Sequence, residues 1–246
     1  MPMLDHAALT ERYFFPRPDA PDETLPVEVE GAELACWMRR THGGPMLLHF
    51  HGNGETIADY IPELADAYEA RGVDTFFAEY RGYGASTGVP GVVRQLGDVE
   101  AIVNATGTAP ERLFVYGRSI GSIYAIEAAK RFPSLGGLIL ESGIHDVLER
   151  VVMRVKPETL GGSQAELERE IERYVDHDAK LRAFPGRVLV LHALGDWGVK
   201  PRHAEMNAAA AGERAKLILF EQGDHNTILT FNLPRIIDEV VGLIQG

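Results

Sequence analysis

Five consecutive residues, Gly117-Arg118-Ser119-Ile120-Gly121, form a G-x-S-x-G pattern, the spacing that can turn a serine into a nucleophile. The same pattern recurs at Gly84-Ala85-Ser86-Thr87-Gly88. With 26 glycines in the chain, chance gives roughly 0.07 matches per sequence, so context must decide between the two. Ser119 directly follows the apolar run RLFVY and opens the amphipathic stretch SIYAIEAAKRF. A sharp strand-to-helix turn holds such a serine in a strained backbone conformation, and the flanking glycines let strand and helix approach. Its hydroxyl then projects at a helix N-terminus, where amides and the dipole favour developing negative charge. Ser86 lies beyond Arg81-Gly82-Tyr83-Gly84 and leads into Val89-Pro90-Gly91, a loop. Ser119 is the candidate nucleophile, and a plain capping serine is the bland alternative.

A hydroxyl attacks only if a base takes its proton. Of the nine histidines, His6 and His42 precede the central runs, and His145, His177 and His203 sit in helical stretches. His49 and His51 flank one strand end, and His192 ends another. His225, in Glu221-Gln222-Gly223-Asp224-His225-Asn226, follows the last strand run and precedes a helix, on the rim where Ser119 belongs. The base needs a carboxylate to fix its tautomer and stabilise the imidazolium. Asp196, in Leu194-Gly195-Asp196-Trp197, follows the run RVLVLH on that rim; Glu141, at the end of GLIL, is its rival, and Asp224 points elsewhere. The oxyanion that forms during acyl transfer needs two amide donors. The backbone N–H of Ile120 is one, and that of Asn53, in His51-Gly52-Asn53-Gly54-Glu55, is the other, with Gly54 second. His51 braces this loop; His49-x-His51 has no third ligand at metal spacing, so no metal site is expected.

These residues need a scaffold that brings loop ends together. Short apolar runs at Pro45–Phe50, Thr75–Tyr80, Arg112–Tyr116, Gly137–Leu140, Arg187–His192 and Lys216–Phe220 read as strands buried on both faces. Helical stretches lie between them at Asp59–Arg71, Val92–Asn104, Ser119–Phe132 and Arg202–Ala211. A last one, Pro234–Gln245, puts proline at the first helical position. Such alternation implies βαβ crossovers and a doubly wound, mostly parallel α/β sheet. Leu25–Val29 and Glu33–Arg39, turning at Gly31, add an antiparallel hairpin at one edge. One domain over residues 1–246 accounts for the pattern. Residues 144–185 lack a strand run and are expected to form a small helical cap or crossover insertion at the ligand-binding edge.

Composition excludes several other functions. The chain of 246 residues carries 36 acidic and 24 basic side chains, a net charge of −12. Nucleic acid and anionic lipid both need clustered Lys and Arg, so neither is an expected partner. The single cysteine, Cys36, allows no intrachain disulfide, as expected of a reducing, cytoplasmic setting. Met1–Asp22 has no signal-peptide pattern, and no run of 18 apolar residues exists to span a membrane.

The ordered segments HGNGE, YRGYGASTG, YGRSIGS, LGDWGV and GDHN resemble the signature of α/β-hydrolase-fold serine hydrolases. Within that fold they are most similar to small esterases and depalmitoylating thioesterases with an HGN oxyanion loop and a YRGYGxS loop. The chain departs from that pattern at Ala193, where glycine is usual, and at Asp224, where a small residue commonly precedes the histidine. It also lacks the N-terminal cysteine cluster of the membrane-anchored depalmitoylases. The resemblance implies an eight-stranded sheet, cofactor-free hydrolysis of a small-molecule acyl ester or thioester, and an acyl-enzyme intermediate. Acyl transfer or peptide cleavage by the same residues is the enzymatic alternative, and a non-catalytic ligand-binding protein the other. The stripe Val147, Leu148, Val151, Val152 and Val155 is expected to wall an acyl site for medium chains, with no need for a charged acyl group.

Overall fold

Strands flanked by helices on both faces are buried on both and therefore mostly apolar, and every residue of β3 (Met46–Phe50), β4 (Asp74–Ala78), β5 (Leu113–Arg118), β6 (Gly137–Glu141) and β7 (Val188–Ala193) is buried, with polar residues mainly at the strand ends. The structure is a computed structural model that describes all residues from Met1 to Gly246. With β1 (Leu25–Val29), β2 (Ala32–Arg39) and the edge strand β8 (Ala215–Phe220) they form one eight-stranded sheet, in the order β1-β2-β4-β3-β5-β6-β7-β8. The β1–β2 hairpin turns at Gly31, which holds the left-handed φ of 72° that the tight turn requires. β2 runs antiparallel to β4, and all later pairs are parallel. Phe50 lies opposite Gly117, Arg118 opposite Glu141 and Ala193 opposite Phe220. The ends of β3, β5, β6, β7 and β8 are therefore level, and the loops that follow them gather on one rim.

Helices α3 (Val92–Ala105), α4 (Gly121–Arg131), α7 (His177–Ala183) and α8 (Arg202–Ala211) cover the face with the larger apolar core. Helices α2 (Glu63–Glu69) and α9 (Ile228–Gln245) cover the other. Two helix starts differ from the sequence reading, both at prolines. The stretch from Asp59 breaks at Pro62, because the residue before a proline is driven out of the helical region, and α2 begins beyond it. Conversely, α9 starts six residues before Pro234 and runs through it. Burial of Ile228, fully inaccessible at the helix start, outweighs the one backbone bond lost at the proline. Helix α1 (Ala7–Tyr13), preceded by a 3-10 turn at Met3–Asp5, had no counterpart in the reading of the strand–helix alternation.

Between β6 and β7 the chain forms α5 (Val147–Val152), α6 (Gln164–Val175) and α7. α7 packs between α4 and α8 as an ordinary sheet-flanking helix, whereas α6 packs on the N-terminal segment. There the Glu170 carboxylate accepts the Met3 and Leu4 amides at 2.9 and 2.7 Å. The apolar stripe on α5 is not an acyl wall. Val147, Val151 and Val155 are at most 2% exposed within the large core, and Leu148 and Val152 pack against them. Periodicity announced a buried face, and that face is turned inward.

Two histidines are buried in this frame without a charge partner. His177 sits beneath α5 with its Nδ1 2.9 Å from the Ile144 carbonyl, and His49 is packed between the Tyr60 and Tyr116 rings. Burial above all holds both down to about 3. In the unfolded chain they bind protons near pH 6.5. The folded values are depressed, so the stability is complete above about pH 6.5 and is lost progressively as pH falls towards 3. Urea unfolding across that window should show a falling midpoint, and His177→Asn, which keeps a donor for Ile144, should flatten the slope. An unchanged slope in the variant would show that His177 does not carry it.

Candidate active site

Ser119 ends the turn from β5 into α4 with φ at +50°, a left-handed conformation rare for a residue with a side chain. Holding it there costs about 1–3 kcal/mol, which the surrounding packing must offset. The two motif glycines show why the turn is possible. A Cβ on Gly121 would lie 2.2 Å from the Phe50 carbonyl oxygen, and one on Gly117 would lie 2.6 Å from the Ser122 Cα. Only glycine lets α4 come this close to β3 and β5.

The elbow sets the Ser119 hydroxyl 3.0 Å from His225 Nε2, and His225 Nδ1 lies 2.8 Å from Asp196 Oδ2. Each of the three follows a different strand, β5, β7 and β8. The second oxygen of Asp196 accepts the Val199 amide at 2.8 Å. Burial opposes ionisation of this carboxyl, but His225 and the Val199 amide outweigh it and hold it below the ordinary carboxylate range. His192 lies under the pair, its Nε2 2.8 Å from the Val199 carbonyl.

The donors expected for an oxyanion are free. Neither the Asn53 nor the Ile120 backbone N–H donates to another group of the protein. The approach of Gly121 to the Phe50 and His51 carbonyls sets the start of α4 against the loop that carries Asn53. That loop is heavily braced. The Asn53 side chain accepts the Phe15 amide at 3.0 Å and the Tyr83 hydroxyl at 2.8 Å, and its amide donates to the Tyr13 carbonyl. His51 has acceptors at both ring nitrogens, Glu79 at 2.6 Å and the Gly52 carbonyl at 2.8 Å. Burial resists a charge on His51, but Glu79 prevails and raises its pKa.

Glu141, the rival acid, is placed elsewhere. Its buried carboxyl takes the Tyr116 hydroxyl and Arg118 Nη1, and does not bond His225. Arg118, the unnamed second residue of the motif, is the residue that sequence reasoning passed over. Only 4% exposed, it donates from Nε to Glu55 at 2.8 Å, from Nη1 to Glu141 at 3.2 Å and from Nη2 to the His225 carbonyl at 3.0 Å. Glu55 in turn accepts the Gly52 amide at 2.6 Å. Burial raises the Glu55 carboxyl, but Arg118, the Tyr60 hydroxyl, His51 and the Gly52 amide together outweigh it and hold it below the ordinary carboxylate range. One guanidinium thus ties the Asn53 loop, the elbow and the His225 loop together. Ser86 has a structural place: its hydroxyl accepts the Ala35 amide at 2.9 Å in the turn against β2.

Residues 44–163 match the family model described as serine aminopeptidase, S33. The chain is 25% identical over 206 residues to the uncharacterized protein YfhR of Escherichia coli (strain K12), covering 80% of this chain and 70% of YfhR. It is 27% identical over 216 residues to the alpha/beta hydrolase domain-containing protein WAV2 of Arabidopsis thaliana, covering 80% and 69%. Among solved structures, the esterase Pf2001 of Pyrococcus furiosus superposes with a TM-score of 0.73 at 14% identity, covering 94% of this chain and 98% of that one. The strand order, the level rim and these similarities agree, and the chain has the α/β-hydrolase fold.

Proposed function

We propose that the protein is a serine hydrolase that cleaves carboxylic esters or thioesters through an acyl-enzyme intermediate. The carrying observation is the aligned set Ser119–His225–Asp196, at 3.0 and 2.8 Å, with the serine at positive φ. In this reading Ser119 Oγ attacks the carbonyl carbon while His225 Nε2 takes its proton. The Asn53 and Ile120 amides hold the oxyanion. The tetrahedral intermediate collapses, His225 returns the proton to the departing alcohol or thiol, and water repeats the sequence to release the acid. Asp196 keeps the His225 proton on Nδ1 and stabilises the imidazolium. Every step uses side chains and backbone amides alone, so the reaction needs no cofactor or metal. Of residues 144–185, α7 is a crossover helix, which leaves α5 and α6 as the small cap. Cys36, buried and unpaired, fits a cytoplasmic setting.

The test is labelling by a fluorophosphonate probe, which reports an activated serine without knowledge of the substrate. Wild type should label and Ser119→Ala should not. No labelling of wild type would favour a ligand-binding protein on a hydrolase fold, whose chemistry has no use for the aligned set. The family model's description favours one second reading, peptide-bond cleavage by the same residues. Release of amine from aminoacyl amides at rates comparable with ester cleavage would select it.

A further inference from the structure

The ion-pair pattern around the candidate site breaks at α5. Arg150 forms no salt bridge, and its Nε is the one arginine nitrogen in the chain that is buried without a partner. Its Nη1 donates to the Gly198 carbonyl at 2.7 Å. Gly198 adjoins the base: a Cβ there would lie 3.0 Å from His225 Cγ. One turn on, Arg154 is also without a carboxylate, and its guanidinium lies 5.8 Å from the centre of the exposed Phe15 ring. The Phe15 amide is bonded to Asn53, on the oxyanion side. Arg150 thus contacts the loop beside His225, and Arg154 lies over the Phe15 segment that braces the Asn53 loop. The buried Tyr13 hydroxyl lies in the field of both.

Neither arginine forms a salt bridge, and the carboxylates that flank the site are engaged elsewhere, Asp146 with the Glu149 amide. Asp196 is committed to His225 and the Val199 amide, Glu55 to Arg118, and Glu149 to Arg202. A chain of net charge −12 thus carries two arginines without a salt bridge beside the loops that flank Ser119. A half-buried guanidinium with a spare donor is a costly arrangement for an apolar ligand and a favourable one for an anion. We infer that Arg150 and Arg154 bind an ionised acid group of the substrate, so that the preferred esters or thioesters carry a carboxylate a few atoms from the scissile carbonyl. The inference rests on the serine-hydrolase reading for turnover, though not for binding. It replaces the expectation of an uncharged acyl group, whose apolar wall is spent in the core.

Matched ester pairs test it. The p-nitrophenyl monoester of glutaric acid carries the charge on the acyl side, with p-nitrophenyl valerate as its neutral counterpart. The butyrate of 4-hydroxybenzoic acid carries the charge on the leaving group, with phenyl butyrate as counterpart. In wild type, kcat/KM for one anionic ester should exceed that of its counterpart at least about tenfold, as expected for a charged hydrogen bond. That ratio should fall towards one in Arg150→Met, and fall in part in Arg154→Gln, whose exposed position guards against misfolding. Raising the salt concentration should erode it. A wild-type ratio at or below one for both pairs, or a ratio unchanged in both variants, overturns the inference. Calorimetric titration of monomethyl glutarate and methyl valerate into Ser119→Ala, with and without Arg150→Met, separates it from the parent reading. Charge-dependent binding lost with Arg150, in a protein that turns over neither pair and does not label, sustains the anion site and removes the hydrolase. Turnover and labelling with no preference for charge do the reverse.

Discussion

Ser119→Ala should lower kcat for a p-nitrophenyl ester by on the order of 10⁶-fold, to the residual level that the oxyanion donors and binding alone provide. The size follows from geometry. The lost hydroxyl is the only one within hydrogen-bond distance of His225 Nε2, and water in its place lacks both the elbow's orientation and a covalent intermediate. Ser86→Ala is the control, since that hydroxyl serves an amide in a turn remote in role from the rim. Retention of more than a small fraction of activity in Ser119→Ala, measured after active-site titration excludes contaminating wild type, would move the nucleophile elsewhere.

The second large effect belongs to Asp196→Asn, which should lower kcat by on the order of 10⁴-fold with the fold intact. Asn can still offer its oxygen to the Val199 amide, which Asp196 accepts at 2.8 Å. Its NH₂ then faces His225 Nδ1, which must become an acceptor. The ring proton shifts to Nε2 and points at Ser119 Oγ, so the imidazole can no longer take the hydroxyl proton. Glu141→Gln should cost far less, because that carboxyl is bound to Tyr116 and Arg118 and only adjusts the Arg118 network. A reversed ranking in steady-state kinetics would assign the acid to the end of β6.

The sheet was legible because runs such as RVLVLH and GLIL have one physical explanation, burial on both faces. That reading also carried Ser119, Asp196 and His225 to one rim, since each directly follows such a run, and the structure brings them within hydrogen-bond distance. What stayed hidden depends on partners distant in the chain. Nothing near Arg118 announces that it meets the carbonyl of His225, 107 residues away, or that Arg150 meets Gly198, 48 residues away. The stripe on α5 was visible as a stripe; periodicity gives the side that is buried, not what buries it. Pro234 misled for a related reason. A local rule for helix starts yields where the buried Ile228 rewards an earlier one.

The segment from Met3 to Arg17 lies on groups made much later in synthesis. Its Leu4 amide waits for Glu170, 166 residues downstream, and its Phe15 amide for Tyr83, 68 residues downstream. At ribosomal rates of about 5–20 residues per second, the first of these separations alone takes roughly 8–30 s. Through that interval the Met3 and Leu4 end of the nascent strap is unanchored. Closing contacts of such long range is slow compared with forming the helices themselves. In a refolding experiment, recovery of far-ultraviolet circular dichroism should therefore precede recovery of a competent rim.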